Sequence, residues 1–558
     1  MSGVKSSKTY LLFQDACYKH RYIRSNDLSN IVERPERLRA VKVGLAAAIA
    51  RIEELSQQDK KHKQGTDETG GELVDALQKL DLLQDTDISV VDVIPSSRKV
   101  DLLNNQAVKY VHGDIDGDVY LENLVEWAKE SSEKVKGGES EIPSELSQGD
   151  LYLCPESLEA IQGALGTVCE AVDKVMSISR SSLEQGTTVE ETANAFVAIR
   201  PPGHHCGEDT PSGFCFVNNV VVAAAHAHLK HKIKKVVIFD IDLHHGNGTQ
   251  SLVWQINEEW YRRKLEIDHG APNTELGVQI FYGSLHDILS YPCEDGKVPL
   301  VQAASVSIHG AHGQHIENIH LQEYRDEKDF YENLYKPRYC KLFSKAEQFL
   351  KDTRNEDVLV FISCGFDACE HEYPSMSRHN RRVPTSFYYQ FAKDCRAFTS
   401  KFSGGKFVSV LEGGYSDRAL ISGAMAHLIG LVDDKKFRSD IDKGWWGIKN
   451  LSLLEKIIKK RRGSPPSTRT LRERRPVSPR TTPIPISSPP RKGKQTTVKA
   501  SKPDPKSRTT TTEEESLNDV VNNLQELSLN LQGSNQETDL QAKKLPRIIL
   551  RVKDPESS

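Results

Sequence analysis

The sequence contains no pair of cysteines spaced as CxxC, and its ten cysteines form no dense cluster. Small disulfide-rich domains and zinc modules built on cysteine both need closely spaced cysteines. The cysteine pattern therefore argues against a disulfide framework and against a cysteine-based zinc finger. It favours a protein of a reducing compartment.

Long apolar runs are also missing. No stretch reaches the roughly 18–20 apolar residues of a membrane-spanning helix. The opening MSGVKSSKTYLLF has no apolar core of the kind that a secretory signal carries. The net charge is −4, so the chain as a whole is not a polycation. We expect a soluble intracellular protein with no membrane partner, resident in the nucleus, the cytoplasm or both.

The charge is unevenly distributed along the chain. Positions 456–508 hold 17 Lys and Arg residues against two acidic ones, among many Ser, Thr and Pro. Such a segment is too poor in apolar residues to bury a core. The composition predicts a globular domain over 8–450, a basic disordered linker over 451–512, and a tail over 513–558.

Two signals lie beyond the predicted globular domain. The runs KKRR (459–462) and RERR (472–475) are typical of a nuclear localisation signal or a patch that binds nucleic acid directly. A solvated linker that is phosphorylated at its Ser-Pro dipeptides is the alternative. Segment 513–532 has an apolar stripe at helical spacing, which favours a short helix that docks on a partner or on a second copy of the chain. A transiently helical, disordered tail is the alternative there.

Short apolar runs alternate with helical patterns over 8–450. The runs are TYLLF (9–13), NAFVAI (194–199), KKVVIFDI (234–241), VQIFYGS (278–284), ASVSI (304–308), DVLVFIS (357–363) and KFVSVLE (406–412). Helical patterns occupy 156–176 and 219–232. Unbroken apolar strands separated by helices predict an α/β fold with an open, mostly parallel sheet covered by helices on both faces. In such sheets ligands bind at the carboxyl ends of the strands.

The segment VVIFDIDLHHGNGT (236–249) places polar residues at such a strand end. Alternate side chains of an extended segment face the same way, so Asp240, Asp242 and His244 point together. Carboxylate and imidazole groups suit a divalent metal such as zinc, and catalytic zinc needs three protein ligands. Asp367, at another predicted strand end in SCGFDA, is the best candidate for the third. The alternative is an Asp–His hydrogen-bond network on a structural turn.

Two further segments offer catalytic side chains. RPPGHH ends in His204 and His205, and an imidazole whose other nitrogen is held by a partner can act as a general base. Asp240 and Asn247 are the candidate partners. LEGGYSD offers Tyr415, whose hydroxyl could stabilise an oxyanion. Taken alone, a His pair or a Gly-Gly-Tyr turn is more often plain structure.

Taken in chain order, RPERLRA (34–40), RPPGHH, GFCFVNN, DIDLHHGNGTQ, SCGFDA and LEGGY resemble the zinc-dependent histone deacetylase family. The resemblance spans about residues 10–445. Asn247, Glu412 and the GNGTQ motif are similar to its class II members, and segment 370–388 is similar to the fungal HOS branch. The resemblance implies an arginase/deacetylase-like fold and zinc-dependent hydrolysis of the acetyl-lysine amide in histones or other proteins. It would connect the chain with chromatin regulation and repression of transcription.

The resemblance also implies roles for single residues. The ligands of one zinc ion would be Asp242, His244 and Asp367. The catalytic residues would be His204, His205, Tyr415, Asp240 and Asn247, with His205 as the general base and Tyr415 as the oxyanion donor. The acetyl-lysine channel would include Gly213, Phe214, Tyr291, Gly413 and Gly414. A structural monovalent cation such as K⁺ would use Asp240, Asp242, His244, Ser284 and Leu285, and Arg37 would lie in an internal cavity through which acetate leaves.

The rim of the channel departs from the family pattern. Leu153 falls where class I relatives carry an aspartate that holds the substrate backbone, and CEHEYPSM replaces the family's GDPLG turn. Two other functions therefore stay open. One is deacetylation of polyamines or other small amides, which an acidic gate formed by Glu370, Glu372 or Asp209 would favour. The other is a scaffold without catalysis, against which the complete catalytic set argues.

Overall fold

The computed structural model describes residues 7–61, 91–113, 119–184, 192–271, 275–351, 353–432 and 442–460. All of them belong to the unit Met1–Pro465. The basic runs past residue 460 and the segment 513–532 lie outside the described residues, so their predicted roles stay predictions. Across the described residues, no helix has the length and apolar character needed to cross a membrane.

Nine strands of the described residues form one sheet. They are β1 Ser7–Gln14, β2 Val91–Ser96, β3 Thr192–Ala198, β4 Lys235–Asp240, β5 Gln279–His286, β6 Ser307–His309, β7 His315–His320, β8 Val358–Cys364 and β9 Phe407–Leu411. Their order across the sheet is β2-β1-β3-β9-β8-β4-β5-β7-β6. Only the β6–β7 pair, at one edge, is antiparallel. The predicted open, mostly parallel sheet is confirmed.

Helices occupy most of the connections between the strands. They are α1 Glu36–Lys61, α2 Gln106–His112, α3 Tyr120–Lys136, α4 Ser157–Glu184, α5 Asn219–His231, α6 Asn247–Asp268, α7 Val298–Ala303, α8 Glu327–Asp329, α9 Lys341–Leu350, α10 Ser386–Phe402, α11 Asp417–Val432 and α12 Ile448–Lys460, with a π-helical segment Phe330–Tyr339 and short 3-10 turns at Asp15–Lys19, Ala311–Gly313, Asn355–Asp357 and Lys443–Trp446. Every residue of β8 and β9 is buried. Successive side chains of a strand point to opposite faces, so both faces of the sheet centre are covered.

Two of the nine strands, β2 and β7, are not predicted from the sequence. The strand β2 is a partly exposed edge strand that contains Asp92 and Pro95, so it has no unbroken apolar run. The strand β7 has the sequence HIENIH, and its polar residues hide a strand beside the sheet edge. Both are held by pairing with a neighbour rather than by a strong pattern of their own.

Helix boundaries differ from the prediction at three places. The linker is predicted to begin at residue 451, but the helix α12 continues past this point. Two of its residues beyond 450, Leu451 and Leu454, are buried in the hydrophobic core. The polar composition of segment 134–149 predicts a surface loop, but its first residues belong to α3, which ends at Lys136. The polar composition of segment 56–72 likewise predicts a surface loop, but α1 continues to Lys61, and the remainder lies outside the described residues.

The central strands β3, β9, β8 and β4 are consecutive neighbours in the sheet. They are mutually parallel, so their carboxyl ends lie at one edge of the sheet. The chain leaves β3 toward His204, β9 toward Tyr415, β8 toward Asp367 and β4 toward Asp242. The fold thus brings four separate segments of the sequence to one place.

Candidate metal centre and catalytic pocket

Asp242, His244 and Asp367 meet at this edge of the sheet. Their ligand atoms all lie within 4.8 Å of one another, and all three residues are buried. Nδ1 of His244 lies 2.9 Å from Oδ2 of Asp367 and 3.2 Å from Oδ1 of Asp242. The structure therefore groups the three side chains that the sequence predicts as zinc ligands.

The electrostatics of the group favour a bound cation. Burial raises the pKa of Asp367, and the neighbouring Asp242 carboxylate raises it further. Burial lowers the pKa of His244, but hydrogen bonds to Asp242 and Asp367 outweigh this and bring it to about 10. Two buried carboxylates around one imidazole hold an excess of negative charge, which a divalent ion offsets. An imidazole and two carboxylates are also donors that zinc accepts, so these residues fit the predicted ion.

Two glycines allow the carboxylates to come together. A Cβ atom on Gly365 would lie 1.9 Å from Oδ2 of Asp242, and one on Gly413 would lie 2.3 Å from Oδ2 of Asp367. The N–H of Gly413 also donates to Oδ2 of Asp242 at 2.8 Å. Gly413, predicted as a channel residue, lies instead against the metal-site carboxylates. Gly414, with φ +108°, is likewise outside the cavity lining, and its carbonyl accepts a hydrogen bond from Arg37.

The two tandem histidines have different partners. Nδ1 of His205 donates to Oδ1 of Asn247 at 2.8 Å, which leaves Nε2 as the free ring nitrogen. Nδ1 of His204 donates to Oδ2 of Asp240 at 3.2 Å. The centroids of the His204 and His205 rings lie 4.0 Å apart. Burial lowers the pKa of His204, but Asp242 and Asp240 outweigh this and raise it to about 10. The predicted pairing of each histidine with its partner is present in the geometry.

Glu412 fixes the backbone that carries the histidines, a role that the sequence does not reveal. Its Oε2 accepts the N–H groups of Gly203 at 2.7 Å and of His204 at 3.3 Å, and its Oε1 accepts the Ser363 hydroxyl at 3.1 Å. Burial raises the pKa of Glu412 to about 7. The carboxylate, which directly follows β9, links the segment after β3 to Ser363 near the end of β8.

Tyr415 is held from three sides. Its ring packs edge-on against Phe214, with 5.7 Å between centroids, and the Arg37 guanidinium lies 5.0 Å from its centroid. Its backbone N–H donates to Oε2 of Glu372 at 2.7 Å. Burial and the Asp367 carboxylate raise the pKa of Tyr415 well above its usual value, so its hydroxyl stays protonated and can donate a hydrogen bond.

A cavity of about 1200 Å³ opens onto these residues. Its buried lining includes His205, His244 and Tyr415, together with the predicted channel residues Gly213, Phe214 and Tyr291. Gly213 has φ +49°, and a Cβ atom there would lie 2.5 Å from Cδ2 of His205. Tyr291 packs its ring on His205 at 4.9 Å and hydrogen-bonds the Ser212 hydroxyl. These side chains narrow the approach to the histidine.

The rim is formed by residues other than those expected. Leu153 is fully buried in the core, and the carboxylate that lines the cavity nearby is Asp150, three positions earlier. Leu153 therefore does not contribute to the rim, and its correspondence to the family's aspartate stays a prediction. None of the three residues expected for an acidic gate lines the cavity: Glu370, Glu372 and Asp209. Glu372 is buried, and Glu370 accepts hydrogen bonds from Thr385.

The predicted monovalent-cation residues lie on adjacent strands. Asp240 ends β4 opposite Ser284 of β5, and both residues are fully buried. Leu285 is almost fully buried. Oδ2 of Asp240 also accepts the hydroxyl of Tyr282 at 3.0 Å. With Asp242 and His244, these residues put oxygen donors of the kind that K⁺ takes into one region. The K⁺ ion itself stays a prediction.

Arg37 belongs to a buried charge cluster rather than to the cavity lining. Its guanidinium donates to Glu33 at 2.8 Å and to the carbonyls of Glu412 and Gly414. Glu33 also pairs with Arg200, and all three charged side chains are fully buried. The cluster fastens the start of α1 to the segment that carries Tyr415. The predicted exit route for acetate stays a prediction.

A second group with metal-ligand spacing lies elsewhere among the described residues: Asp173, His226 and His231. The Asp173 carboxylate already binds Arg98 at 2.6 Å and Lys230 at 2.7 Å. These two cations supply the positive charge that a metal would bring, so we interpret this group as an ion-pair network.

A family model for the histone deacetylase domain matches residues 69–431. This chain therefore belongs to the histone deacetylase family. Histone deacetylase HOS3 of Saccharomyces cerevisiae is 35% identical over 429 residues, which cover 74% of this chain and 54% of the relative. This match confirms the predicted similarity to the fungal HOS branch.

Other relatives match a smaller share of this chain. Type-2 histone deacetylase 1 of Dictyostelium discoideum is 27% identical over 52% of this chain and 20% of its own length. Histone deacetylase 6 of Caenorhabditis elegans is 27% identical over 55% of this chain and 27% of its own length. A crystal structure of the HDA15 HD domain aligns with a TM-score of 0.49 and 21% identity, covering 81% of this chain and 99% of that chain. The chain spans about half the length of the yeast relative and about a quarter or less of these other two relatives.

Proposed function

We propose that this protein is a zinc-dependent lysine deacetylase, which hydrolyses the acetyl-lysine amide of histones or other proteins and releases acetate. One observation carries the proposal. His244 of the three-residue metal-ligand group, a histidine oriented by an amide, and a tyrosine line a single cavity. Amide hydrolysis needs these three groups together: an activated water, a proton carrier and a donor to the oxyanion.

Asp242, His244 and Asp367 would hold one zinc ion. Bound zinc lowers the pKa of water and polarises a carbonyl group. The chain supplies the fixed geometry: Gly413 donates its N–H to Asp242, and the N–H of Leu243 donates to Oδ1 of Asp367 at 2.8 Å. Ligands held in this way are oriented before the ion binds.

His205 acts as the proton carrier. Because Nδ1 donates to Asn247, the proton of the attacking water goes to Nε2, and the same atom returns it to the leaving lysine amine. His204, held by Asp240, helps to position the water and stabilises the charge that develops beside it. Each imidazole thus has one nitrogen fixed by the protein and one available to the reaction.

Tyr415 donates its hydroxyl hydrogen to the carbonyl oxygen of the substrate as negative charge develops there. Its high pKa keeps the hydroxyl protonated through the reaction. Gly213, Phe214 and Tyr291 enclose the aliphatic stem of the acetyl-lysine and exclude water from it. A protein substrate would rest on the wider mouth of the cavity.

The mouth favours a protein substrate over a polyamine. Its lining carries the basic residues Arg21, Arg34 and Arg378 among the acidic residues Glu33, Glu36, Asp150, Glu294 and Asp417. A polycationic amine is best received by a mouth of uniform negative charge, which this mixture does not provide. Acetylpolyamine deacetylation remains the alternative activity, and a scaffold without catalysis remains the alternative role.

The proposal is tested by hydrolysis of an acetyl-lysine peptide and of an acetylated polyamine by the purified protein, with and without a zinc chelator. We expect turnover of the peptide that the chelator abolishes and added zinc restores. Tyr415→Phe should lower kcat by about 10²- to 10³-fold, the usual cost of losing one oxyanion donor. Tyr373→Phe, at an exposed tyrosine of the mouth, is the matched control and should retain activity.

Other results would change the assignment. Turnover of the polyamine alone would make the protein a small-molecule amide hydrolase. Zinc binding without turnover of either substrate would favour the scaffold role. Asp242→Asn should lose both zinc and peptide turnover, and activity that survives in this variant would contradict the assigned ligand.

The family also suggests partners and a location for the proposed activity. We propose acetylated histones or other acetylated proteins as substrates, with residence in the nucleus, the cytoplasm or both. Repression of transcription would follow from histone deacetylation. Docking or self-association through 513–532 and direct nucleic-acid binding by the basic linker are further predictions, both on residues outside the described structure.

A further inference from the structure

The segment 369–383, which we name the mouth loop, closes on itself at its base. Cys369 pairs with Val383 as an isolated parallel bridge, and the N–H of Glu370 donates to the Val383 carbonyl at 2.9 Å. Between these ends the loop forms one wall of the cavity mouth. Its cavity-lining residues are Tyr373, Ser375, Met376, Arg378 and His379.

Glu372 turns from this loop toward the segment that follows β9. Its side chain is buried, with the residue only 3% exposed. Oε2 accepts the backbone N–H of Tyr415 at 2.7 Å, and Oε1 accepts that of Ser416 at 2.8 Å. In return, the Ser416 hydroxyl donates to the carbonyl of His371 at 2.7 Å. Three hydrogen bonds therefore join the mouth loop to the tyrosine segment.

These hydrogen bonds hold the backbone of Tyr415, whose rotation would move the tyrosine side chain. Ser416 caps α11 by accepting the N–H of Ala419 on its hydroxyl at 3.0 Å, so the backbone of Tyr415 stands immediately before a rigid helix. Glu372 holds that backbone, while Arg37 from α1 stacks on the ring. The tyrosine is thus fixed at two points that belong to different parts of the fold.

A carboxylate suits this position better than its amide. Oε2 of Glu372 accepts the N–H of Tyr415, and Oε1 accepts the N–H groups of both Ser416 and Tyr373. A glutamine has one acceptor oxygen, and its NH₂ would face a second N–H group that also donates. One buried donor would then lose its partner, which is costly and displaces the backbone.

We propose that Glu372 is a positioning residue that fixes Tyr415 to the mouth loop and contributes to the reaction only through the Tyr415 hydroxyl. The inference rests on the proposed function of that hydroxyl. It separates Glu372 from the acidic gate suggested by the sequence. The carboxylate faces the protein interior and the tyrosine backbone rather than the incoming substrate.

The test is a double-mutant cycle on the full chain with zinc bound. We expect Glu372→Gln to lower kcat by about 10- to 100-fold, as a misplaced catalytic group does, with KM changed less than about twofold. In the Tyr415→Phe background the same substitution should change kcat by less than about twofold, because the hydroxyl that it positions is gone. Glu370→Gln is the matched control. It lies in the same loop and bonds Thr385 instead of the tyrosine segment, so it should retain kcat.

Two kinetic outcomes would overturn the proposal. One is a kcat of Glu372→Gln equal to that of the unmodified protein. The other is an equal loss from Glu372→Gln with and without the Tyr415 hydroxyl, which would mark a general structural role. If the Gln variant loses its zinc or its folded circular dichroism, Glu372→Asp takes its place in the same cycle.

Hydrogen exchange provides a readout that does not depend on activity. Amide exchange in a peptide covering 412–418 should become faster in Glu372→Gln and stay unchanged in Glu370→Gln. Unchanged exchange in both variants would refute the positioning role of Glu372, even in a protein that hydrolyses peptide. Faster exchange in Glu372→Gln, in a zinc-loaded protein that hydrolyses nothing, would support the positioning role and refute the proposed function.

Discussion

The buried carboxylate of Glu33 neutralises two guanidinium groups, and we predict that Glu33→Gln destabilises the fold strongly. Glu33 binds Arg200 on both of its oxygens and Arg37 at 2.8 Å, and all three side chains are fully buried. The Tyr152 hydroxyl donates to the same carboxylate at 2.8 Å. The substitution keeps the size of the side chain and removes its charge.

The magnitude follows from the burial of the cluster. Removing one partner from a buried ion pair leaves an uncompensated charge, which costs about 3–5 kcal/mol. The described part of the chain has about 400 residues. At an unfolding entropy of about 2.1 cal/mol/K per residue, the loss corresponds to a Tm lower by about 4–6 °C. Differential scanning calorimetry at pH 7 measures it directly.

Glu159→Gln is the matched control. Glu159 also contacts two cations, Lys19 and Lys99, but at the surface. An exposed pair contributes about 0–1 kcal/mol, so the control should lower the Tm by about 1 °C or less. Equal Tm changes in the two variants would refute the argument that burial makes the Glu33 cluster important.

The same cluster predicts a pH dependence. Burial alone would raise the pKa of Glu33, but Arg200 and Arg37 outweigh it and hold the pKa far below its usual range. A depressed carboxyl pKa stabilises the folded state above about pH 4.5, and this contribution falls as the pH falls below that value. The Tm difference between the unmodified protein and Glu33→Gln should therefore shrink below about pH 4.5. A difference that stays constant or grows there would contradict the assigned charge state.

Three further predictions concern the site and its boundary. Gly213→Ala should lower kcat/KM by at least about tenfold in the peptide assay, because a Cβ atom would lie 2.5 Å from the His205 ring at a backbone φ of +49°; an unchanged value would show that the ring has room to move. Asp367→Asn should reduce the zinc content measured by mass spectrometry to less than about a tenth, since it removes a ligand charge; full occupancy would exclude Asp367 as a ligand. Leu451→Ala should lower the free energy of unfolding by about 2–5 kcal/mol, because the side chain is fully buried on α12. An unchanged Tm would show that the folded domain ends at residue 450, as the sequence predicts.

The sequence predicts the centre of the sheet well because the central strands carry complete local signals. The strands β4, β8 and β9 are mostly apolar, and polar groups of the site stand at or just after their ends. The edge strand β2 and the strand β7, which lies next to the opposite edge, carry no such signal, since each is partly exposed or polar and depends on its neighbours. Strand pairing over long sequence distances is not encoded in any one segment.

The site shows the same division. Asp242, His244 and Tyr415 stand in short motifs and can be read from sequence. Glu412 and Glu372 act on backbone N–H groups that belong to distant segments, so no spacing in the sequence reveals their partners. Residue type alone does not reveal that Asp150 lines the cavity while Leu153, three positions later, is buried.

The site residues follow four neighbouring strands of the sheet, whereas the wall of the cavity mouth is formed by a separate loop. The two parts can therefore change independently. The groups that carry out the chemistry are attached to the rigid middle of the sheet, whereas the mouth loop is an excursion that begins and ends at one bridge between Cys369 and Val383. Under the proposed function, the wall that meets the substrate can therefore change while the reacting groups stay in place. If Glu372 positions Tyr415 as we propose, the changed loop must still place at position 372 an acceptor for the N–H groups of Tyr415 and Ser416. Diversification of substrate choice in such a fold is constrained by a contact that never touches the substrate.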